Sequence, residues 1–293
     1  MPELPEVETI CRGLAPLISK RHIIEVCQRR AGLRFPFPRQ FATRLKGRTI
    51  RHITRRGKFI LIHLDENLVW LVHLGMSGRF RFWPPTEKPI KPARPNHSRN
   101  HVPDHVHDHL AVRLDNGADL VYTDPRRFGY MDLLSAPSPD ALAQSKHFIR
   151  MGPEPLSNAF NADILTKRLA KRKRAIKTAL LDQTIIAGLG NIYVCESLFR
   201  ARISPRRLAC NLGAKRIMRL VPAICDVLQD AIGAGGTTLR DFATIDGRAG
   251  YFQYAFDVYN RANLPCPNKH CNATIMRIVQ SGRASFFCPA CQR

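Results

Sequence analysis

The chain has 293 residues, and its 46 Lys plus Arg against 23 Asp plus Glu leave a formal net charge of +23. That length predicts about two domains, and with 24% charged and 44% hydrophobic residues the basicity is a skew of sign within a globular composition, which excludes a disordered chain. The longest uncharged stretch, Gln183 to Cys195, is shorter than the roughly 20 apolar residues of a membrane helix, so the surplus charge calls for a polyanionic partner: nucleic acid first, with ribosomal RNA and anionic lipid behind.

The start, Met-Pro-Glu-Leu-Pro-Glu-Val-Glu, is acidic where a secretory signal would be basic, which places the chain in the cytosol. Pro5 with Glu6 and Glu8 suits a helix first turn, and Val7, Ile10, Cys11, Leu14, Leu17 and Ile18 keep one apolar face through Lys20. Strand-like runs follow at Ile23 to Gln28, Phe59 to Leu64, Leu68 to Leu74, Arg79 to Trp83, Leu110 to Leu114 and Leu120 to Thr123, with Asp65-Glu66-Asn67 and Asn116-Gly117 as hairpin turns. They predict an antiparallel sandwich with a flanking helix. Between Trp83 and Leu110, six prolines and five histidines read as a surface insertion in preference to a His-rich metal tract.

Ser135 to Pro155 reads as a connection, after which the period turns helical. Ile164 to Lys177 carries seven basic residues and no acid, Asn191 to Ile203 is a helix preceded by Gly188-Leu189-Gly190, and a longer helix spans about Gly213 to Ile232. Ile217, Leu220, Val221, Ile224, Val227, Leu228 and Ile232 form its apolar side, and Gly235 to Tyr251 reads as a flexible loop.

Of nine cysteines, Cys11, Cys27, Cys195, Cys210 and Cys225 are scattered as reduced core thiols are. Near the C-terminus, Cys266-x4-Cys271 and Cys288-x2-Cys291 bracket a strand-turn-strand segment. Four thiolates there would close one tetrahedral, structural Zn²⁺ site with no position for an activated water, and the stiffened hairpin would carry Arg283 beside its tip. At the other end, loss of Met1 would leave Pro2 as a secondary amine with an α-amino pKa of about 7.7–8.0. Such an amine can attack a sugar C1′ and form an iminium, but from these residues alone a buried N-terminal cap is the stronger reading.

Pro2-Glu3-Leu4-Pro5-Glu6-Val7-Glu8-Thr9, Arg56-Gly57-Lys58, His73-Leu74-Gly75-Met76-Ser77-Gly78, Asp124-Pro125-Arg126-Arg127-Phe128-Gly129 and Gly188-Leu189-Gly190-Asn191-Ile192-Tyr193 occur in order. Gly235-Gly236-Thr237-Thr238-Leu239, Asp246-Gly247 with Gly250-Tyr251-Phe252, and the cysteine hairpin complete the series. From residue 2 to residue 292 this resembles formamidopyrimidine-DNA glycosylase, the bacterial oxidised-purine repair family.

The resemblance implies an α+β protein: an N-terminal antiparallel β-sandwich with flanking helices over residues 1–135, a linker at 136–160, a helix-two-turns-helix domain over 161–262 and a zinc-finger β-hairpin over 263–293. Pro2 is then similar to the family's nucleophile, Glu3 to the carboxylate that protonates the opened sugar or departing base, Lys58 to the general acid/base of β-elimination, and Arg283 to the finger arginine that grips the phosphates flanking the lesion. Family members flip the damaged nucleotide out of the duplex, and Met76, Arg126 and Phe128 resemble the triad that fills the hole. His107, Asn191, Arg172 and Lys173 resemble phosphate contacts, Lys177 a contact to the substrate nucleotide, and Glu6 with the loop at Gly235 to Tyr251 the parts that close over the flipped base. The identification of His107 over His105 and His109 rests on the following Leu-x-Val-x-Leu strand. Further implications are one structural zinc, damaged double-stranded DNA as partner, no nucleotide cofactor, a monomer, and a bacterial cytoplasm where DNA binding associates the enzyme with the nucleoid.

Two departures stand out: x4 where the family's first cysteine pair has x2, and the longer Pro/His-rich insertion at 84–106. Leu4 argues against the sister glycosylase for oxidised pyrimidines, which begins Pro-Glu-Gly-Pro. Joint retention of Pro2, Glu3 and Lys58 argues against a protein that only binds damaged DNA.

Overall fold

The computed structural model describes residues 1–85, 106–237 and 250–293; His97, His101, His105, Asp246-Gly247 and most of the loop at 235–251 lie outside the described residues. The chain divides into two compact units. Among the described residues the first holds Met1–Pro2 and Val7–Ser145, and the second holds Glu3–Glu6, Lys146–Thr237 and Gly250–Arg293.

In the first unit, helix α1 (Leu4–Ile18) lays Val7, Ile10, Cys11, Leu14 and Ile18 into the core, the spacing expected of a one-faced helix. Two four-stranded antiparallel sheets share that core. One has the order β1-β6-β7-β5, from β1 (Ile23–Gln28), β6 (Asp108–Leu114), β7 (Asp119–Thr123) and β5 (Arg79–Trp83). The other has the order β2-β3-β4-β8, from β2 (Ile50–Arg56), β3 (Phe59–Leu64), β4 (Leu68–His73) and β8 (Tyr130–Ser135). Trp70 on β4 meets Phe80 on β5 and Phe41 on the short helix α2 (Phe41–Leu45) edge-on, with ring centroids 6.1 and 6.3 Å apart. The two sheet faces are therefore joined by interdigitated aromatics.

Strands β2 and β8 are additions to the predicted set. Both are edge strands of their sheet and only partly buried. In β2, Ile-Arg-His-Ile-Thr-Arg-Arg, the polar residues that an edge position tolerates hide the strand from pattern reading. A short helix α3 (Pro139–Ala143) follows, capped by Ser138 Oγ on the amide of Ala141.

The second unit is built on α4 (Ala162–Leu169), α5 (Ile176–Leu180), α6 (Asn191–Arg200) and α7 (Ala214–Gly233). Helix α7 buries Ile217, Leu220, Ala223, Ile224, Val227, Leu228 and Ala231; the predicted Val221 and Ile232 are its half-buried flanks. The basic run from Ile164 to Lys177 is not one helix. Its carbonyls at Arg172 and Arg174 accept from the amides of Cys210 and Ala209, so Lys171 to Arg174 form a connection, and the crowding of four successive cations on one helix is avoided. Strands β9 (Met276–Gln280) and β10 (Arg283–Phe287) form the C-terminal hairpin. Ser281 and Gly282 turn it with φ of 48° and 75°, the left-handed pair that a two-residue hairpin loop requires.

Candidate active site and nucleic-acid interface

In the second unit the Gly188-Leu189-Gly190 turn seats Glu3 and the first residue of α1. Leu4 donates its amide to Gly188 O at 3.1 Å. Gly190 has no side chain because a Cβ there would lie 2.2 Å from the Glu3 carboxyl carbon. Glu3, 4% exposed, accepts the amides of Ile192 at 3.1 Å and Tyr193 at 3.5 Å at the start of α6. Two donors and the positive end of a ten-residue helix hold this carboxylate in one place. Pro2, its chain neighbour, is buried, whereas Met1 is 46% exposed.

Glu6, 2% exposed, accepts the amides of Glu3 and Thr237, both at 2.8 Å, and the hydroxyl of Tyr193, which also reaches Thr237 Oγ1 at 3.1 Å. Burial first, and the neighbouring Glu3 second, push the Glu6 carboxyl up from the usual range. Tyr193 and Thr237 escaped sequence reading because each appears there only as one letter of a longer motif.

Lys177 on α5 is fully buried, and its Nζ donates to Ala284 O at 3.3 Å. Asn191 Nδ2 donates to the same carbonyl at 2.8 Å, so both fasten the strand beside Arg283, whose own side chain is exposed. Burial, followed by the Arg283 charge, lowers the Lys177 pKa against the opposing pull of Cys195 and Glu3. Arg172 and Lys173 are exposed in the connection between α4 and α5. A groove of about 570 Å³ there is lined by Arg150, Lys167, Arg168, Lys171 and Arg172 with Thr184 and Ile185.

The four cysteines converge. Their sulfurs lie within 4.8 Å of one another, with Cys266 to Cys291 at 3.9 Å and Cys271 to Cys288 at 3.6 Å. A tetrahedron with Zn–S near 2.3 Å has sulfur edges of about 3.8 Å, so this donor set fits a metal ion. The amide of Cys291 at 3.4 Å from Cys288 Sγ and Asn268 Nδ2 at 3.4 Å from Cys291 Sγ also suit thiolates. Buried Glu196 on α6 accepts the successive amides of Asp257, Val258 and Tyr259 at 2.9, 3.1 and 2.7 Å, which fixes the segment leading into the hairpin.

In the first unit Lys58 follows Gly57, whose φ of +56° makes the β2–β3 turn, and is 7% exposed. His73 on β4 stacks on Tyr130 at 5.3 Å and meets Phe59 edge-on at 5.0 Å. Burial, then the charges of Lys58 and Arg34, hold its pKa down to about 4. Its Nδ1 accepts the Gly75 amide at 3.0 Å, as a neutral imidazole can.

The motifs at 73–78 and 124–129 interlock. Asp124, fully buried, accepts the Ser77 hydroxyl at 2.6 Å and the Gly129 amide at 2.8 Å, and Ser77 Oγ accepts the Arg126 amide at 3.1 Å. A Cβ on Gly75, whose φ is +63°, would lie 2.3 Å from the Phe128 carbonyl carbon, so glycine lets the two loops touch. Met76 is 36% and Phe128 44% exposed, Arg126 is exposed, and the Arg126 guanidinium lies 4.8 Å from the Phe128 ring centroid. The predicted triad is thus three tips on one platform. Ser77 and Asp124, its scaffold, belong to the same two motifs.

His107 is half-buried and its carbonyl accepts the Asp124 amide at 3.0 Å. His109 is 1% exposed with Nε2 on Asp124 O at 2.9 Å, which makes it a core histidine. Of the two described candidates, His107 is the one with surface to offer.

A family model described as the formamidopyrimidine-DNA glycosylase N-terminal domain matches residues 1–131, and one described as the H2TH domain of the same enzyme matches residues 151–243. The chain is 50% identical over 304 residues to a formamidopyrimidine-DNA glycosylase of Rhodospirillum centenum and 48% identical over 292 residues to one of Caulobacter vibrioides, with 100% of each chain covered. Among solved structures it is similar to the MutM (Fpg) protein of Thermus thermophilus (37% identity, TM-score 0.82, 99% of this chain and 98% of that one). It is also similar to Lactococcus lactis Fpg in complex with abasic-site DNA (32% identity, TM-score 0.84, 99% of both chains) and to a Lactococcus lactis Fpg mutant with Fapy-dG DNA (33% identity, TM-score 0.82, 100% of both). These full-length likenesses agree with the interlocked motifs and the cysteine cluster, and the chain belongs to the formamidopyrimidine-DNA glycosylase family.

Proposed function

We propose that this protein is a bifunctional DNA glycosylase and abasic-site lyase that removes 8-oxoguanine and formamidopyrimidines from duplex DNA and nicks the strand. The observation that carries this reading is the fixed Glu3 carboxylate, held on the amides of Ile192 and Tyr193 directly after Pro2. Exposed Met1 leaves the initiator residue within reach of removal, after which the Pro2 nitrogen is a secondary amine. That nitrogen attacks C1′ and the glycosidic bond breaks with its electrons leaving on the base; the nitrogen then gives its proton to the Glu3 carboxylate as the C1′–O4′ bond breaks, which opens the sugar and leaves an iminium that is cationic without a proton. Glu3 donates the proton that the opened sugar or the departing base takes up.

With the iminium as electron sink, loss of the C2′ proton expels the 3′-phosphate, and a second elimination expels the 5′-phosphate. Lys58 serves the first as general acid/base, and Arg283 grips the flanking phosphates and assists the second. Met76, Arg126 and Phe128 fill the gap that the flipped nucleotide leaves, with Phe128 as the stacking plate and Arg126 on the orphaned base. His107, Asn191, Arg172 and Lys173 contact phosphates, Lys177 reaches the substrate nucleotide and Glu6 supports the segment that closes over the base. Cys266, Cys271, Cys288 and Cys291 hold one structural zinc, which supplies rigidity to a hairpin too short to fold alone and no catalytic water. One chain acts as a monomer on one duplex in the bacterial cytoplasm.

The named relatives support the substrate: Lactococcus lactis Fpg is seen with Fapy-dG DNA, and MutM with DNA containing carbocyclic 8-oxo-G. Side-by-side excision from duplexes carrying 8-oxoguanine opposite cytosine or thymine glycol tests the assignment. Preference for 8-oxoguanine is expected, and preference for thymine glycol would move the protein to the oxidised-pyrimidine branch.

A further inference from the structure

Between Glu25 and Asp65 the chain holds eleven Lys and Arg and no acidic residue, a density the motif reading passed over. Within the first unit part of this run forms a rigid arm at residues 29–37. Gly32 bridges Pro36, Leu33 donates to Phe35 O at 3.0 Å, and Phe37 donates to Ala31 O at 2.9 Å. The base of the arm is anchored where buried Phe37 stacks on Phe41 at 4.9 Å. A Cβ on Gly32 would lie 2.5 Å from Phe35 O, so the tight turn depends on glycine.

The tip is unlike ordinary surface. Phe35 is 53% exposed, the neighbouring Arg34 is exposed, and so is Arg30 at the start of the arm. The Arg34 guanidinium lies 5.5 Å from the Phe35 ring centroid, whereas Arg48 and Arg55 of the same run pair with Glu66 and Glu8. The arm is also tied to the functional residues of its unit. Arg34 donates its amide to Gly129 O at 3.1 Å, at the end of the loop that carries Arg126 and Phe128. Phe35 meets Tyr130 edge-on at 5.4 Å, and Tyr130 in turn packs on His73 and on Phe59, the residue after Lys58. At the other side Arg29 donates to His109 O at 3.0 Å, two residues from His107. The Arg34 charge helps to depress the His73 imidazole, and that of Arg30 the His109 imidazole, in each case after burial as the larger cause.

An exposed cation, an exposed ring and a preorganised backbone next to a phosphate-contact histidine and an insertion platform suit one kind of ligand. We propose that this arm is a further grip on the sugar-phosphate backbone of duplex DNA, with the Arg34 guanidinium on a phosphate, Phe35 against the adjoining deoxyribose, and Arg30 adding field. The inference rests on the DNA-repair reading above. A phosphate contact carries no base information, so the arm holds damaged and undamaged duplexes alike.

The test is the salt dependence of equilibrium binding, measured for the parent, Arg34→Gln, Arg34→Lys and Phe35→Ala on a duplex with a tetrahydrofuran abasic analogue and on its undamaged counterpart. Each neutralised phosphate contributes about 0.9 to the slope of log affinity against log salt. Arg34→Gln is expected to flatten that slope by about 0.9 and to weaken both duplexes by the same factor, while Arg34→Lys restores the slope. Phe35→Ala weakens binding with the slope retained. Arg34→Gln with the parent's slope and affinity, at the parent's melting temperature, overturns the arm and leaves the DNA-repair reading intact. A parent without salt-dependent DNA binding overturns both.

Discussion

In the first unit the buried carboxylate of Asp124 uses its acceptors on Ser77 and Gly129, while the side chains proposed to enter DNA, Met76, Arg126 and Phe128, stand exposed on the loops it holds. In the second unit the proposed reactive carboxylate is itself buried: Glu3 is the acceptor for the start of α6, and Glu6 for Thr237 and Tyr193. Scaffold and tip are separate residues in one unit and the same residues in the other. Substitutions in the first unit can therefore remove function and leave stability, or the reverse, whereas at Glu3 and Glu6 the two effects arrive together.

The largest separation between the units is expected from the metal ion proposed at the four cysteines. Structural zinc sites carry apparent binding energies of about 10–16 kcal/mol near neutral pH. Chelation is expected to unfold the Cys266 to Cys291 hairpin and abolish DNA binding while the melting transition of the first unit persists. Unchanged binding after verified metal loss would contradict the role given to the hairpin.

Glu3→Gln comes next. Loss of a positioned general acid lowers rates by about 10²–10⁴, so single-turnover excision of 8-oxoguanine should fall by that factor, with nicking at a preformed abasic site less affected. A fall under tenfold would make Glu3 a cap for α6 and nothing more.

Asp124→Ala and Phe128→Ala then divide the platform into its two parts. The first leaves the buried Gly129 amide and Ser77 hydroxyl without their acceptor, at about 1–3 kcal/mol for each group, visible as a lower denaturant midpoint. The second removes an exposed ring and its contact with Arg126, worth about 0.5–1 kcal/mol, so stability barely moves while excision falls. Equal stability losses at the two positions would contradict the division of labour.

Two histidines give the first unit a pH dependence of its own. His63 and His73 are both held down to about 4, by burial first and then by cationic or imidazole neighbours. A folded-state pKa below the unfolded value of about 6.5 contributes stability above pH 6.5 that is lost as pH falls toward 4. His73 adds at most about 1.4 kcal/mol per pH unit across that window, and His63, more open to solvent screening, adds less. Titrating the unfolding free energy of the parent against a His63→Gln/His73→Gln variant should show a shallower slope between pH 6.5 and 4, with the part due to groups such as His109 and Glu6 retained.

Legibility in the sequence followed the range of the interactions. Strands β1, β3 and β5 were readable to the residue because their apolar runs are local, and the hairpin with its four cysteines because ligand spacing is local too. Edge strand β2, Ile-Arg-His-Ile-Thr-Arg-Arg, has only two apolar letters among seven and did not register. The roles proposed for Pro2, Glu3 and Lys58 rest on resemblance alone, since an amine, a carboxylate and a turn lysine have no distinctive pattern of their own. The networks were not legible at all: Glu3 meets the Ile192 amide across 189 residues, and Lys177 and Asn191 meet on a backbone carbonyl. No side-chain letter announces a backbone partner.

The central claim is that the Pro2 nitrogen, freed of Met1, is the nucleophile. Borohydride trapping on an 8-oxoguanine duplex tests it most directly, with processed protein and protein whose N-terminus is blocked compared side by side. The processed protein should give a covalent complex that maps to Pro2, and the blocked protein none. A trapped complex of equal yield after blocking, or none from verified Met1-free protein, would contradict the account.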